Sequence, residues 1–247
     1  MGKTRLDQRV LREGLADDLR QAQGLIMRGA VLVSDRPVTK PGAPVKEASP
    51  VRLKSGAGSA RYVSRGGHKL KSALDALRLR VDGKRCVDVG ASTGGFTDCL
   101  LQEGASAVTA IDVGYGLLAD KLRGDSRVHV MERTNARHLK VEQLPYPSDF
   151  TVVDASFIGA RALLPALVAI AASAGQILLM VKPQFELPKE QVPAGGVVRE
   201  VSARRAARDA VIEAAEGVGW RCVASVDSAV AGPKGNIETF VLLGRRG

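Results

Sequence analysis

Charged residues stand beside apolar runs in the second half of the chain, where buried strands are expected to end. Asp154 follows the apolar residues of TVVDASF, Lys182 follows those of LLMVKPQFE, and Glu238 precedes the run TFVLL. A charge that closes a buried strand is costly unless it is paired or used for function. Each alone could be a strand-end charge that faces water. Two successive strands that both end in a charge at one sheet edge favour a functional site.

A glycine-rich turn is the second candidate for chemistry. The apolar strand CVDV runs into GASTGG and then directly into a helix, whose first N–H groups favour a negative group. The spacing Gly90-x-x-x-Gly94-Gly95 does not match the dinucleotide fingerprint, and no Gly-Lys-Ser/Thr follows as in a P-loop. Asp112 ends the next apolar strand, twenty-two residues after Gly90, where its carboxylate can accept hydrogen bonds from a ribose.

These features favour a nucleoside ligand with one carboxylate and no diphosphate. S-adenosylmethionine is such a ligand, and a turn with a purely structural role is the alternative. The predicted cofactor contacts at this sheet edge are Asp88, Gly90, Ala91, Ser92, Thr93, Gly94, Gly95, Phe96, Asp112 and Asp154.

Strands and helices alternate from Cys86 onwards, which predicts an α/β fold with a mainly parallel, Rossmann-like sheet covered on both faces. Residues 162–181 are twenty residues without a charge, long enough to cross a bilayer. Pro165 and the Ser-Ala-Gly stop at 173–175 divide this stretch into a helix over 162–173 and a buried strand from Gln176. A membrane span is therefore not expected.

The positive charge is concentrated in the first third of the chain. Residues 1–85 hold 19 Lys/Arg against 8 Asp/Glu, a charge of +11, whereas residues 86–247 hold 17 against 18, a charge of −1. Such asymmetry favours a polyanionic partner for the first part, with a merely soluble basic surface as the alternative. Two short amphipathic helices are predicted there, with Arg5, Arg9, Arg12, Arg20 and Arg28 on them.

The segment RLDQRVLREGLADDLRQAQGLIMRGAVLV resembles the RNA-binding domain named after ribosomal protein S4. The resemblance implies that basic side chains contact RNA phosphates, and a helical cap that only stabilises the chain is the alternative. We expect this domain over residues 1–54, a flexible linker over 55–61 that contains SGAGSA, and a second domain over 62–247.

The second domain resembles the FtsJ-like ribose 2′-O-methyltransferases. The matching strings occur in order as SRGGHKL, DVGASTGGFTDCLL, DVGYGLL, ERTNAR, DASFI, VKPQFE, GGVVRE and GNIE. With both domains, the chain is similar to the TlyA-type ribosomal RNA methyltransferases, which are often named haemolysins. The resemblance implies an α/β, Rossmann-like S-adenosylmethionine-dependent methyltransferase sheet with a small N-terminal α+β RNA-binding domain.

The same resemblance assigns roles to individual residues. It implies a catalytic tetrad of Lys69, Asp154, Lys182 and Glu238. Because a ribose hydroxyl is a poor nucleophile, we expect Lys182 to assist its deprotonation or to stabilise the alkoxide, and the other three to orient Lys182 and the ribose. It also implies that Asn135 and Ala136 lie near the adenine of the cofactor, and Arg65 of SRGGHKL joins the expected RNA contacts. The expected partner is ribosomal RNA or a ribosomal subunit.

Three rival functions remain open from the sequence. A base methyltransferase would share the cofactor fold, although the segment Asp154-Ala-Ser-Phe157 lacks the Asn/Asp-Pro-Pro-aromatic loop of exocyclic-amine enzymes. A membrane-active cytolysin would match the haemolysin label, and an RNA chaperone would have lost catalysis. The N-terminus shows no apolar secretory segment, and the three cysteines have no metal-ligand spacing, so we expect a cytoplasmic protein without a metal.

Overall fold

The computed structural model describes residues 3–16, 19–54, 61–232 and 235–246. The chain divides into two compact units, Met1–Arg61 and Tyr62–Gly247. The predicted linker sequence SGAGSA, residues 55–60, lies outside the described residues. Each unit is described by itself below.

The N-terminal unit packs two helices against short strands. Its core contains Leu6, Val10, Ala22, Leu25, Ile26 and Val31, all buried. Asp7 is also fully buried. The cost of burying its carboxylate is offset by hydrogen bonds that it accepts from Arg5 of the preceding strand and Gln23 of the second helix. The elements are β1 (Lys3–Arg5), α1 (Leu6–Arg12), α2 (Leu19–Met27), β2 (Val31–Val33), β3 (Arg36–Pro37), β4 (Pro44–Lys46) and β5 (Val51–Leu53).

The C-terminal unit is built on one seven-stranded sheet, in the order β11-β12-β10-β9-β6-β7-β8. Its strands are β6 (Arg85–Val89), β7 (Ala107–Ile111), β8 (Val128–Met131), β9 (Ser148–Val153), β10 (Ala171–Val181), β11 (Trp220–Asp227) and β12 (Thr239–Arg245). Its helices are α3 (Arg65–Ala76), α4 (Gly95–Gln102), α5 (Asp120–Arg123), α6 (Leu164–Ile170), α7 (Pro183–Glu186) and α8 (Val201–Gly217).

Six of the seven strands run in the same direction, and successive residues face opposite sides of the sheet. In β10, Leu178 packs into one buried cluster and Leu179 into the other. Near-continuous apolar sequence is what a sheet buried on both faces requires. The predicted α/β fold with a mainly parallel sheet is confirmed. β12 is the exception to the parallel order, because it pairs antiparallel with both β10 and β11.

The helix predicted over 162–173 is shorter than expected. A 3-10 turn spans Ala160–Leu163, α6 ends at Ile170, and β10 begins at once with Ala171. The register of β10 on β9 is irregular between Ala171 and Gln176. A side chain at Gly175 would stand 2.6 Å from the backbone oxygen of Ser148, so the chain passes close to β9 there. None of the helices in the described part of the chain is long and apolar enough to cross a membrane.

Glycines bring the starts of α3 and α4 into close contact. A Cβ on Gly95 would overlap the Oγ of Ser64, which caps α3 by accepting a hydrogen bond from Gly66 N–H. The carboxylate of Asp98 in α4 accepts a hydrogen bond from Val63 N–H at 2.8 Å, just before α3. A Cβ on Gly67 would overlap the buried ring of Tyr62. These contacts fix where the first turn of α3 lies against the glycine turn.

We expect Gly67→Ala to destabilise the C-terminal unit by about 1–3 kcal/mol, because the added methyl overpacks the Tyr62 ring. Urea unfolding measures this change. Gly217→Ala is the matched control, since a Cβ there meets nothing within 4 Å, and it should be neutral or slightly stabilising. Equal stability of the Gly67→Ala and wild-type proteins would contradict the close packing.

Candidate active site

The carboxyl ends of the parallel strands β6, β7 and β9 meet at one edge of the sheet. Val89 in β6 is paired with Ile111 in β7 on one side and with Val153 in β9 on the other, so Gly90, Asp112 and Asp154 follow at the same level. Backbone hydrogen bonds continue this alignment, from Gly90 N–H to Ile111 and from Asp154 N–H to Val89. The glycine turn and the charge after β9 therefore share one edge.

The antiparallel strand β12 brings Glu238 to the same edge. Val181 at the end of β10 pairs with Thr239 at the start of β12. The next residues outward are Lys182 and Glu238, which the antiparallel register sets opposite each other. If β12 ran parallel to β10, the C-terminal end of β12 would lie at this edge. Glu238, which precedes β12, would then lie at the opposite edge.

Lys182 is buried, with 7% of its surface exposed, and among the described residues its Nζ contacts the loop after β9. Its Nζ lies 2.6 Å from Asp154 Oδ1 and 2.8 Å from Ser156 Oγ, and 3.5 Å from the backbone oxygen of Asp154. Removing one partner from a buried ion pair leaves an uncompensated charge, which costs about 3–5 kcal/mol. Asp154 is therefore needed for Lys182 to remain buried.

Lys69 forms a second buried ion pair with Glu238. Lys69 projects from the second turn of α3 and is 7% exposed, and Glu238 is 2% exposed. Gly232 leaves room for this carboxylate, because a Cβ there would stand 2.8 Å from Glu238 Oε1. All four residues of the predicted tetrad thus carry buried or half-buried charges, and they are joined as two lysine–carboxylate pairs.

The glycine turn presents two polar side chains to the surface. Ser92 and Thr93 are exposed, whereas Ala91, Gly94, Gly95 and Phe96 are buried. Ser92 has a φ of 50°, and its N–H donates to Asp112 at 2.8 Å. The other oxygen of Asp112 accepts from Gly114 N–H at 2.7 Å. Asp112 therefore holds the turn in shape as well as standing beside it.

Among the predicted cofactor residues, Phe96 and Asp88 are buried below the turn and Ala136 is half-buried. The ring of Phe96 is 3% exposed and packs 6.1 Å from the ring of Phe240. Ala136 packs against the buried apolar cluster that contains Val89 and Ile111. Asp88 is fully buried below the turn, where its Oδ2 accepts from the N–H and the hydroxyl of Thr97 at 2.9 and 2.7 Å. Asn135 is exposed and caps a short 3-10 turn.

Asp88 is the most perturbed carboxyl of the site. Burial raises its pKa to about 7, with the Thr97 hydrogen bonds opposing this shift and the nearby charge of Asp154 adding to it. Its Oδ1 has no hydrogen-bond partner among the described residues. A protonated Asp88 avoids a buried negative charge below the turn.

The predicted RNA-binding arginines fall into two groups. Arg5 pairs with Asp7, and Arg9 pairs with Glu13 and with Glu47 at 3.1 Å. Arg12 also pairs with Glu47, at 2.5 Å. Arg20, Arg28 and Arg65 are exposed and form no ion pair with other described residues. The first group is neutralised within the unit, so the second group is better placed to meet a polyanion.

Two site residues were not assigned from the sequence. Ser156 contacts Lys182 directly, although only its position in DASF gave any signal. Glu186 of VKPQFE is buried, which raises the pKa of its carboxyl, and it accepts hydrogen bonds from Ala160 N–H and Arg161. It thereby ties the loop after β9 to the turn that follows Lys182. Of the described residues, no three His, Cys, Asp or Glu side chains form a group that could hold a metal ion.

The sequence matches two family models. The FtsJ-like methyltransferase model matches residues 62–245. This chain belongs to the FtsJ-like methyltransferase family. The S4 domain model matches residues 4–50, ahead of the FtsJ-like domain. Both predicted resemblances are therefore confirmed, and the paired lysines and carboxylates lie within the FtsJ-like domain.

Two curated relatives are similar over nearly the whole FtsJ-like chain. It is 45% identical over 241 residues to the 16S/23S rRNA (cytidine-2′-O)-methyltransferase TlyA of Mycobacterium tuberculosis, covering 98% of this chain and 90% of that protein. It is 35% identical over 235 residues to Hemolysin A of Brachyspira hyodysenteriae, covering 95% of this chain and 97% of that protein.

Solved structures agree with the FtsJ-like fold. A hemolysin-named chain from Streptococcus thermophilus has a TM-score of 0.77 and 38% identity, covering 99% of this chain and 89% of that chain. A fibrillarin/Nop5p complex has a TM-score of 0.52 at 14% identity, covering 73% of this chain and 83% of that chain. The second likeness shows the Rossmann-like fold alone.

We expect stability of the FtsJ-like domain to fall as the pH rises from about 4 to about 7, and Asp88→Asn to flatten this slope. The unfolded chain releases the Asp88 proton near pH 4, whereas the folded chain holds it to about pH 7. The contribution is therefore full at low pH and lost as the pH passes the folded pKa.

Urea unfolding at several pH values measures the slope. Asp149→Asn is the control, because Arg85 lowers the pKa of Asp149 and its titration lies below this window. An unchanged slope in Asp88→Asn would contradict a protonated Asp88.

Proposed function

We propose that this chain transfers a methyl group from S-adenosylmethionine to the ribose 2′-hydroxyl of a cytidine in ribosomal RNA. The observation that carries the proposal is the pair of buried lysine–carboxylate contacts, Lys182 with Asp154 and Lys69 with Glu238, beside the glycine turn of an FtsJ-like domain. The name of the mycobacterial relative supports cytidine as the target and both ribosomal RNAs as substrates.

The residues of the turn fit the proposed cofactor. Ser92 and Thr93 offer exposed hydroxyls beside the half-buried carboxylate of Asp112. The spacing Gly90-x-x-x-Gly94-Gly95 is neither the dinucleotide fingerprint nor a P-loop, which favours a ligand without a diphosphate. We assign the turn to the methionine end, Asp112 to the ribose hydroxyls, and Asn135 with Ala136 to the adenine. Asp88 and Phe96 then act by shaping the turn from below.

The protein's part in the chemistry is to prepare the hydroxyl. S-adenosylmethionine, when bound, supplies a methyl group already activated by the sulfonium. A ribose hydroxyl is a weak nucleophile, so the domain must align its oxygen and help remove its proton. The ammonium of Lys182 meets the hydroxyl oxygen and stabilises its developing negative charge as the proton passes to water, and Asp154 holds Lys182 in place. Lys69, paired with Glu238, orients the ribose from the side of α3.

The N-terminal unit supplies affinity for RNA. We propose that the S4 domain occupies residues 1–54, that 55–61 is a linker, and that 62–247 carries the reaction. Exposed arginines that contact phosphates provide affinity with little sequence choice. The choice of nucleotide then depends on the FtsJ-like domain. We propose that the chain acts in the cytoplasm, where its ribosomal RNA substrate would be found.

We expect Lys182→Ala to lower single-turnover methyl transfer to unmodified ribosomal RNA by about 10²–10⁴-fold, because the group that meets the hydroxyl is lost. Transfer of radiolabelled methyl measures the rate. Lys189→Ala is the matched control, since Lys189 is an exposed lysine seven residues further on, and it should keep the wild-type rate. Wild-type transfer by Lys182→Ala would overturn the assignment.

The chemical form of the product separates the rival functions. Alkaline digestion leaves a resistant dinucleotide at each 2′-O-methylated ribose, so labelled dinucleotides are expected. Label in mononucleotides would indicate base methylation instead. Release of dye from liposomes by the purified protein would favour the membrane-active rival.

We expect Arg20→Ala combined with Arg28→Ala to weaken RNA binding and to reduce the slope of log K against log salt by about 0.7–0.9 for each lost phosphate contact. Arg9→Ala should instead lower the stability of the N-terminal unit by about 1–3 kcal/mol, because Glu13 and Glu47 lose a partly buried partner. Binding measured across salt concentrations and thermal unfolding distinguish the two. Equal salt slopes in wild type and the double variant would contradict the phosphate contacts.

A further inference from the structure

The ammonium of Lys182 already has acceptors of the loop after β9 close to it. A lysine ammonium carries three donors. Around Lys182 Nζ stand three acceptors, which are Asp154 Oδ1 at 2.6 Å, Ser156 Oγ at 2.8 Å and the Asp154 backbone oxygen at 3.5 Å. Burial of Lys182 leaves little room for a further partner. A ribose hydroxyl that approaches this nitrogen therefore competes with these acceptors for its N–H groups.

The three acceptors differ in how readily they can leave. The carboxylate of Asp154 is half-buried and carries the charge that compensates the ammonium. The backbone oxygen of Asp154 is fixed because the N–H of the same residue donates to Val89 at the end of β6. Ser156 is exposed and neutral, so its hydroxyl can exchange Lys182 for water at small cost.

The loop that carries Ser156 is secured mainly at its two ends. Asp154 N–H donates to Val89 at one end, and Ala160 N–H donates to Glu186 at the other. Within the described part of the chain, residues 155–158 form no backbone hydrogen bond. Phe157, next to Ser156, has a φ of 67°, a conformation that costs a non-glycine residue about 1–3 kcal/mol. The contact between Ser156 and Lys182 is thus the main polar restraint on the middle of the loop.

We propose that the Ser156 hydroxyl stands in for the substrate hydroxyl, occupying on Lys182 Nζ the place that the ribose 2′-hydroxyl takes in the RNA complex. The two groups are both alcohols, so the exchange replaces one O–H partner by another. Lys182 keeps a full set of acceptors in both states, and the buried ammonium is never left without a third partner. The inference rests on the proposed function, because it requires a ribose hydroxyl as the reacting group.

The exchange predicts how the affinity for RNA depends on the sugar at the target position. In the wild-type protein, an RNA with 2′-deoxyribose at the target position leaves Ser156 on Lys182, so it should bind about as tightly as the RNA with ribose. In Ser156→Ala, only the ribose form can complete the contacts of Lys182. The 2′-deoxy form should then bind at least roughly tenfold more weakly than the ribose form, the value of a hydrogen bond to a charged group.

The test uses the full chain with S-adenosylhomocysteine, so that no methyl is transferred. The probe is a ribosomal RNA that carries either ribose or 2′-deoxyribose at the mapped cytidine, and the readout is the ratio of the two dissociation constants. Ser156→Thr is the matched control, since it retains the hydroxyl and should keep the ratio near one. Circular dichroism of each variant confirms that the fold is retained.

The outcomes separate the two proposals. A ratio that rises in Ser156→Ala and stays near one in Ser156→Thr supports the exchange. A ratio that is the same in wild type and Ser156→Ala overturns it, because Ser156 then does not compete with the substrate hydroxyl. Methylation of the 2′-deoxy RNA by the wild-type protein with S-adenosylmethionine would overturn the proposed function itself.

Discussion

Two lysine–carboxylate ion pairs buried at one end of a parallel sheet are the constraint on which the C-terminal unit depends. Burying such charges is tolerated only when geometry and hydrogen bonds compensate the lost hydration. The partners come from four separate elements, which are the start of α3, the ends of β9 and β10, and the start of β12. The register of the sheet and the glycine contacts between α3 and α4 therefore have to be correct together. Small errors in either would leave a charge buried alone.

The sheet and its functional edge were predictable because their pattern is local. Apolar runs that end in Asp154 and Lys182 identified two strand ends, and parallel order sets such ends at one edge. The partners of the charges were not predictable. Lys69 and Glu238 are 169 residues apart in sequence, and only the fold shows that they pair. The end of α6 at Ile170 was also missed, since an alanine-rich stretch suits both a helix and a buried strand.

The glycine turn shows a second limit of sequence reading. The side chains of adjacent residues in a tight turn point in different directions. A sequence motif therefore does not show which of its residues can contact a ligand. Phe96 and Asp88 belong to the core below the turn, while Ser92 and Thr93 are exposed. The N-terminal arginines repeat this lesson. The number of arginines predicted a polyanionic partner. Glu47, which lies 35 residues beyond Arg12 in the sequence, already forms ion pairs with Arg9 and Arg12.

The position of β12 within the sheet has a consequence for the order of synthesis. β12 lies between β10 and β11, although it follows every other strand in the sequence. A nascent chain can thus expose a complete S4 domain and most of the FtsJ-like sheet while Glu238 and its strand are still unmade. During that interval Lys69 has no carboxylate opposite it, and β10 and β11 have an open gap between them. The pair between Lys69 and Glu238 can therefore form only after β12 has been released and inserted between β10 and β11.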